Sequence, residues 1–229
     1  MEHVQRQLQQ VRQAVRDAAL AAGRDPAAVR LIAVSKTFPA EDVAAAYQSG
    51  QRAFGENRVQ ELETKAPKLP NDIEWHVIGH LQSNKSAKAL EYAAWIHSVN
   101  SMKLLQRLDR QAGEMGKHPN ILIEINISGE ASKSGATVEE AEEMIRYKPR
   151  NLRMAGLMTM PPFDADEAEQ RRIFGELRNL RDRWAQQYEI ELPELSMGMS
   201  GDFATAIAEG STMVRIGTAI FGRRNYDVQ

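Results

Sequence analysis

The chain has 229 residues, 42% hydrophobic and 26% charged, which suits one large globular domain or two small ones. Acidic residues number 31 and basic ones 29, so the chain carries no electrostatic footprint for nucleic acid, and no such partner is expected. Cysteine is absent, which excludes disulfides and thiolate metal sites and fits a reducing compartment.

The polar opening Met1-Glu2-His3-Val4-Gln5-Arg6 has no apolar core of signal-peptide type, and no apolar run reaches membrane-spanning length. The expected location is the cytoplasm, with no membrane partner. Val4, Leu8, Val11, Val15 and Ala18-Ala19 form one stripe of a long first helix that ends at Gly23. It precedes the first strand, so it is an extra element able to close one end of a fold.

Leu31-Ile32-Ala33-Val34-Ser35-Lys36 begins as a continuous apolar run, the pattern of a strand buried on both faces in a parallel sheet. Further strands are read at 52–56, 73–79, 95–99, 121–127, 152–160, 195–200 and 213–217, each followed by a helical pattern. Asn57 is a candidate cap for the helix carrying Val59 and Leu62, and Thr137 with Glu140 has capping-box spacing. Eight strands alternating with helices, without a composition break, predict a single (β/α)8 TIM-type barrel with an extra N-terminal helix. A doubly wound open sheet is the alternative, since alternation alone does not show closure. No long exposed apolar stripe calls for a dimer, so a monomer is expected.

In a barrel, the strand C-termini converge on one mouth. Reading them off gives Lys36, Asn57, His80, Asn100, Asn126, Met158 with Thr159, Ser200, and Gly217 with Thr218. Lys36 has two readings: a lysine leaving the sheet for solvent, or a lysine held against an apolar wall with a lowered pKa, able to attack a carbonyl. The glycines and hydroxyls of Ser196-Met197-Gly198-Met199-Ser200-Gly201-Asp202 and of Arg215-Ile216-Gly217-Thr218 fall after strands seven and eight. Loops there often bind phosphate through free backbone N–H groups; tight turns with glycine caps are the plainer reading. Arg215 shares a strand face with Gly217 and, set among apolar residues, needs a partner or a ligand. His76 and His80 share a face, but no third ligand stands at suitable spacing, so no metal is expected. Met158-Thr159-Met160 reads as packing, and Lys133 as a loop lysine.

Several motifs in register then carry a resemblance. Ala33-Val34-Ser35-Lys36-Thr37, Phe54-Gly55-Glu56-Asn57, 75–85 (WHVIGHLQSNK), 198–202 (GMSGD) and 210–222 (GSTMVRIGTAIFG) resemble the pyridoxal phosphate homeostasis proteins, the YggS/PROSC-like group related to the N-terminal domain of alanine racemase. The likeness runs from about Leu31 to Gly222. It implies one domain over 1–229 with pyridoxal 5′-phosphate (PLP) in the barrel mouth. Lys36 would form the internal aldimine. Ser200, Gly217 and Thr218 would hold the phosphate, with Met199 nearby. Arg215 would face the pyridine nitrogen and Asn57 the ring substituents. Gly201 stands where members often carry a larger or acidic residue.

The implied function is that of a PLP carrier or regulator of vitamin B6 and amino-acid balance, with no catalytic residues and no robust catalysis. PLP-requiring apoenzymes are its candidate recipients. Two other functions would use the same groups. A PLP-dependent racemase is one, and racemase relatives add a β-rich domain with a tyrosine acid/base for which this length leaves no residues. A Schiff-base aldolase acting on a phosphorylated sugar is the other.

Overall fold

A computed structural model describes residues 2–130 and 133–222. Eight strands run in chain order as β1 (Arg30–Val34), β2 (Ala53–Glu56), β3 (Glu74–Val77), β4 (Trp95–Val99), β5 (Asn120–Glu124), β6 (Arg153–Met158), β7 (Glu194–Ser196) and β8 (Met213–Ile216). Every neighbouring pair is parallel, and β8 pairs back onto β1, with Arg30 opposite Met213 and Ala33 opposite Ile216. The sheet is therefore a closed barrel, and the open-sheet alternative is excluded. The helices are α1 (Glu2–Ala21), α2 (Ala40–Gln48), α3 (Val59–Lys65), α4 (Ser86–Tyr92), α5 (Met102–Met115), α6 (Val138–Arg146), α7 (Glu167–Tyr188), α8 (Phe203–Ala208) and α9 (Thr218–Phe221). No helix among the described residues is long and apolar enough to cross a membrane.

Strand alternation sorts the apolar side chains into two clusters. On β5, Ile121 and Ile123 join the large cluster under the helices, while Leu122 joins a small inner one with Ile32, Ala53, Trp95, Ala155, Met158 and Met213. Two residues further along several strands, on the same inner face, the barrel turns polar. His97 follows Trp95, Glu124 follows Leu122, and Arg215 follows Met213, all buried. On β4, β5 and β8 the apolar side chains thus lie toward the strand N-termini and the polar ones toward the mouth, while on β3 the buried His76 stands level with Trp95.

The first helix differs from expectation in its position. Its stripe of Val4, Leu8, Val11, Val15 and Ala19 is buried against α2, α8 and α9. It covers the seam where β8 meets β1 instead of closing an end. The cause is the shortness of α8 and α9, with six and four residues, which leave apolar barrel surface at that seam. Arg24, just past α1, donates from Nη1 to Ile207 O at 2.8 Å and to Ser211 O at 2.7 Å, tying α1 to the β7–β8 connection.

Several strands end sooner than the apolar runs suggest. β1 stops at Val34, β3 at Val77, β5 at Glu124 and β7 at Ser196. Beyond those points the chain bends around the mouth. Thr37 adopts a left-handed backbone conformation at φ 69°, and Phe38 N–H donates to Ser35 O at 3.1 Å. The Thr137 and Glu140 capping box is present, with both reciprocal bonds made. Asn57 is not the cap of α3: Arg58 holds that position, without a side-chain bond. Of the loop 128–135, Ala131 and Ser132 lie outside the described residues, as does Met1.

Candidate functional site

A cavity of about 760 Å³ opens at the C-terminal ends of the strands. Lys36, Asn57, Met199, Ser200, Arg215, Gly217 and Thr218 all line it, so the seven residues singled out in the sequence meet in one place. His80, Gly201 and Asp202 join them, with Phe38, Ile78 and the Met160-Pro161-Pro162-Phe163 segment. Three other strand-end residues, Asn126, Met158 and Thr159, serve structure. Asn126 turns into its own loop, where its side chain donates to Glu130 O at 2.9 Å and accepts from Ser128 Oγ at 2.9 Å. Thr159 Oγ1 donates to Ile125 O at 2.8 Å, and Met158 belongs to the inner apolar cluster.

The turn carrying Lys36 is held from behind by a buried ionic cluster. Lys65 Nζ, from the last turn of α3, donates to Ser35 O at 2.8 Å, to Glu56 Oε1 at 2.7 Å and to Glu61 Oε2 at 3.0 Å. Ser35 Oγ donates to Glu56 Oε1 at 2.7 Å, and Glu61 Oε2 accepts the Thr37 N–H at 2.6 Å. Both chain neighbours of Lys36 are therefore anchored, which fixes the point from which its side chain leaves. Burial pushes the Glu56 carboxyl up to about 7, against the pull of Lys65 and Ser35. Burial would also raise Glu61, but the Thr37 N–H and Lys65 outweigh it and hold that carboxyl below its usual range.

Across the cavity, Arg215 is 3% exposed. Its Nη1 donates to Ser196 Oγ at 2.5 Å and its Nη2 to Thr159 O at 3.1 Å. Burial brings its pKa down to about 10, opposed by Asp202 and Glu124, so it is a cation at neutral pH. The carboxyl of Glu124 is pushed up by burial despite the Ser134 hydroxyl and Arg215. Asp202 is also pushed up by burial, while its Oδ1 accepts the Met199 N–H at 2.5 Å.

Two glycines shape the mouth. Gly198, at φ 95°, lies where a Cβ would come within 2.6 Å of Ala206 Cβ, and Gly79 lies where one would come within 2.5 Å of Asn57 O. Both bring backbone into contact that a side chain would block. At Gly201 a Cβ would meet nothing within 4 Å, so the missing side chain leaves open space at the cavity edge.

The sequence places His76 and His80 on one face without making them a metal pair, and in the structure they lie in different surroundings. His80 is on the exposed loop lining the cavity. His76 is buried and bonds His97 on the adjacent strand, Nδ1 to Nε2 at 2.9 Å. Among the described residues no group of three His, Cys, Asp or Glu is placed to hold a metal ion. The Glu56, Lys65 and Glu61 cluster went unrecognised in the sequence, although Glu61 and Lys65 stand four residues apart on one helix.

A closed parallel (β/α)8 barrel with a lysine and a buried arginine at its mouth defines the class of this chain. The profile of the family described as alanine racemase, N-terminal domain, matches residues 3–225. The chain belongs to that family. Within it, the chain is 45% identical over 233 residues to the pyridoxal phosphate homeostasis protein of Vibrio alginolyticus, covering 99% of this chain and 100% of that one. It is 43% identical to the protein of the same name from Escherichia coli K12, covering 99% of each. It belongs, by these matches, to the pyridoxal phosphate homeostasis proteins. Among solved structures, PipY of Synechococcus elongatus with PLP bound superposes with a TM-score of 0.82 at 41% identity, covering 90% of this chain and 98% of that one. An alanine racemase from Clostridium difficile shares the fold at a TM-score of 0.74 and 12% identity, covering 99% of this chain and 58% of that one.

Replacing Lys65 by Met would leave the Glu56 carboxyl buried without its cation. Unfolding free energy should fall by about 3–5 kcal/mol. Freed of Lys65, the carboxyl rises further above its ordinary value of 4.5, so the folded variant holds a proton that the unfolded chain releases. Stability of the variant then falls as pH rises, and its deficit against wild type should be smaller at about pH 5.5 than at about pH 8. Urea unfolding of both proteins at the two pH values measures this, and an equal deficit at both would show that Glu56 is not the group left uncompensated.

Proposed function

We propose that the chain binds PLP in this cavity, covalently on Lys36, and serves intracellular PLP and amino-acid balance without turning amino acids over at enzyme-like rates. The observation that carries the reading is the meeting of Lys36, buried Arg215 and the loops 198–202 and 217–218 in one cavity. That donor set suits the three ends of the cofactor: an amine for its aldehyde, a guanidinium for its ring nitrogen, and hydroxyls and backbone N–H groups for its phosphate. At Gly217 a Cβ would come within 2.9 Å of Val34 O, so glycine lets the start of α9 pack closely on the end of β1. The PLP-bound PipY structure and the names of the relatives give further support.

When bound, PLP supplies an electrophilic aldehyde and an electron-withdrawing ring. Lys36 would hold its aldehyde covalently, from a turn that Lys65 and Glu61 keep in place. Ser200, Gly217 and Thr218 hold the phosphate, with Met199 beside them. Asn57, which lines the same cavity, would face the ring substituents. Arg215 meets the ring nitrogen as a pure donor, and a guanidinium cannot accept that atom's proton. Arg215 would therefore keep that nitrogen neutral and the ring a weak electron sink. Lys36 serves one face of the cofactor, and no tyrosine is among the described lining residues to move a proton on the other. A cytoplasmic, monomeric carrier whose recipients are PLP-requiring apoenzymes completes the reading.

Borohydride reduction of the PLP-loaded protein followed by peptide mapping should place the pyridoxyl group on Lys36. A principal label on Lys85 or Lys133 would overturn the assignment.

Thr218→Glu should weaken PLP much more than pyridoxal, which lacks the phosphate. Equal weakening in a binding titration of the two ligands would remove the phosphate cup from this corner.

Incubation with L-alanine in D₂O should shift the visible spectrum while leaving the α-proton unexchanged, since general acid–base help worth about 10²–10⁴-fold is missing on one face. Rapid α-deuteration with D-alanine appearing at about 1–10³ per second, followed by NMR and chiral chromatography, would make the protein a racemase.

A further inference from the structure

The polar layer inside the barrel continues away from the cavity toward the opposite end. Arg215 Nη1 lies 2.5 Å from Ser196 Oγ. Ser196 Oγ lies 2.8 Å from His97 Nδ1. His97 Nε2 lies 2.9 Å from His76 Nδ1, and His76 Nε2 lies 3.0 Å from Glu74 Oε1. Glu74 opens β3 at the N-terminal end of the barrel, where Arg30 Nη1 also reaches it at 2.9 Å. The middle three residues are fully buried.

With both imidazoles neutral, the Glu74 end sets the direction of every bond in this line. The carboxylate only accepts, so each ring donates toward it and leaves Nδ1 as an acceptor, and Ser196 Oγ, which accepts from Arg215, donates to His97 Nδ1. His97 then carries its hydrogen on Nε2 and donates it to His76 Nδ1. His76 in turn carries its hydrogen on Nε2 and donates to the Glu74 carboxylate, which only accepts. One proton per group satisfies the whole line, with both imidazoles neutral. Burial holds both below the usual histidine range: His76 despite Glu74, and His97 further, with His76 and Arg215 adding to the effect. The hydrogen bond from His76 holds Glu74 down at about 2, so it is ionised.

We infer that Glu74, His76, His97 and Ser196 form one directed hydrogen-bond chain through the barrel that positions Arg215 for the ring nitrogen of PLP. The four act as positioning residues, with no contact to the cofactor. The charge on Glu74 strengthens each donor in turn, because aligned hydrogen bonds polarise one another in a low-dielectric interior. Its last effect is to make Ser196 Oγ a better acceptor for Arg215, anchoring a buried cation that has no carboxylate bonded to it among the described residues. The inference about PLP rests on the proposed function; the chain itself does not, so the two can fail separately.

The first test uses the ligand-free protein. Nitrogen-15 NMR of the histidine side chains should find His76 and His97 both neutral and both protonated at Nε2 near neutral pH. A hydrogen on Nδ1 of either, or a charged ring, would overturn the chain whatever the protein binds. The second test compares wild type, Ser196→Ala and Glu74→Gln. Glu74→Gln keeps an oxygen for His76 and removes only the charge. Loss of a charge-assisted bond in Ser196→Ala should raise the Kd for PLP about ten-fold, and Glu74→Gln should raise it about two-fold. Both should shift the Arg215 guanidinium resonances. Unchanged Arg215 resonances and affinities in both variants would overturn the coupling to the cavity. A wild-type protein that fails to take up PLP would instead refute the proposed function, with the tautomer measurement still deciding the chain.

Discussion

The constraint on which the site depends is the burial of a guanidinium inside a barrel of apolar strands. Arg215 sits on β8 between Val214 and Ile216, at 3% exposure. A cation so placed must be solvated by the protein, since leaving it unpaired costs several kcal/mol. The barrel supplies oxygens: the Ser196 hydroxyl and the Thr159 carbonyl. Among the described residues no carboxylate is bonded to it, and Asp202 and Glu124 act only through their fields. The cation is thus held by dipoles, leaving the rest of its donor fork for the cavity.

The second buried cation is solved differently. Lys65 lies within hydrogen-bond reach of two carboxylates and a carbonyl, and its role is mechanical. Through Ser35 and Glu61 it grips the turn on both sides of Lys36, including the left-handed Thr37. The two sides of the cavity accordingly have different characters. The Lys36 side is a turn pinned by ion pairs behind it, and the Arg215 side is a strand continuous with a polar core.

The layering of the barrel accounts for both. Its lower interior is apolar, with Trp95 stacked on His76 at 5.6 Å between ring centroids. Polar side chains one step higher on the same strands would be poor core residues taken singly. Joined across strands most of their polar atoms find partners, Glu124 Oε2 excepted, and they support the floor of the cavity. The rim is apolar and open, with Phe163 fully exposed and Met160 and Met199 more than a third exposed, so the cavity is polar in depth and apolar at its edge.

The barrel was legible in the sequence because its causes are local. Apolar runs of strand length, punctuated by glycine, proline and capping residues, set eight βα units, and closure then brings every strand end to one mouth. That is why seven residues spread from Lys36 to Thr218 could be assigned to one cavity from strand ends and motifs. What only the tertiary structure decided is pairing across strands and between elements. His76 meets His97, not His80, because inner-face neighbours on β3 and β4 are set by strand register, and the β4–β5 ladder itself shifts between Ile96 and Val99. Glu56 meets Lys65 because α3 folds back over β2. The seam covered by α1, and the line from Glu74 to Arg215, follow from barrel closure. Periodicity assigns a residue to a face, but its neighbour on the next strand depends on register, tilt and closure, which belong to the assembled sheet.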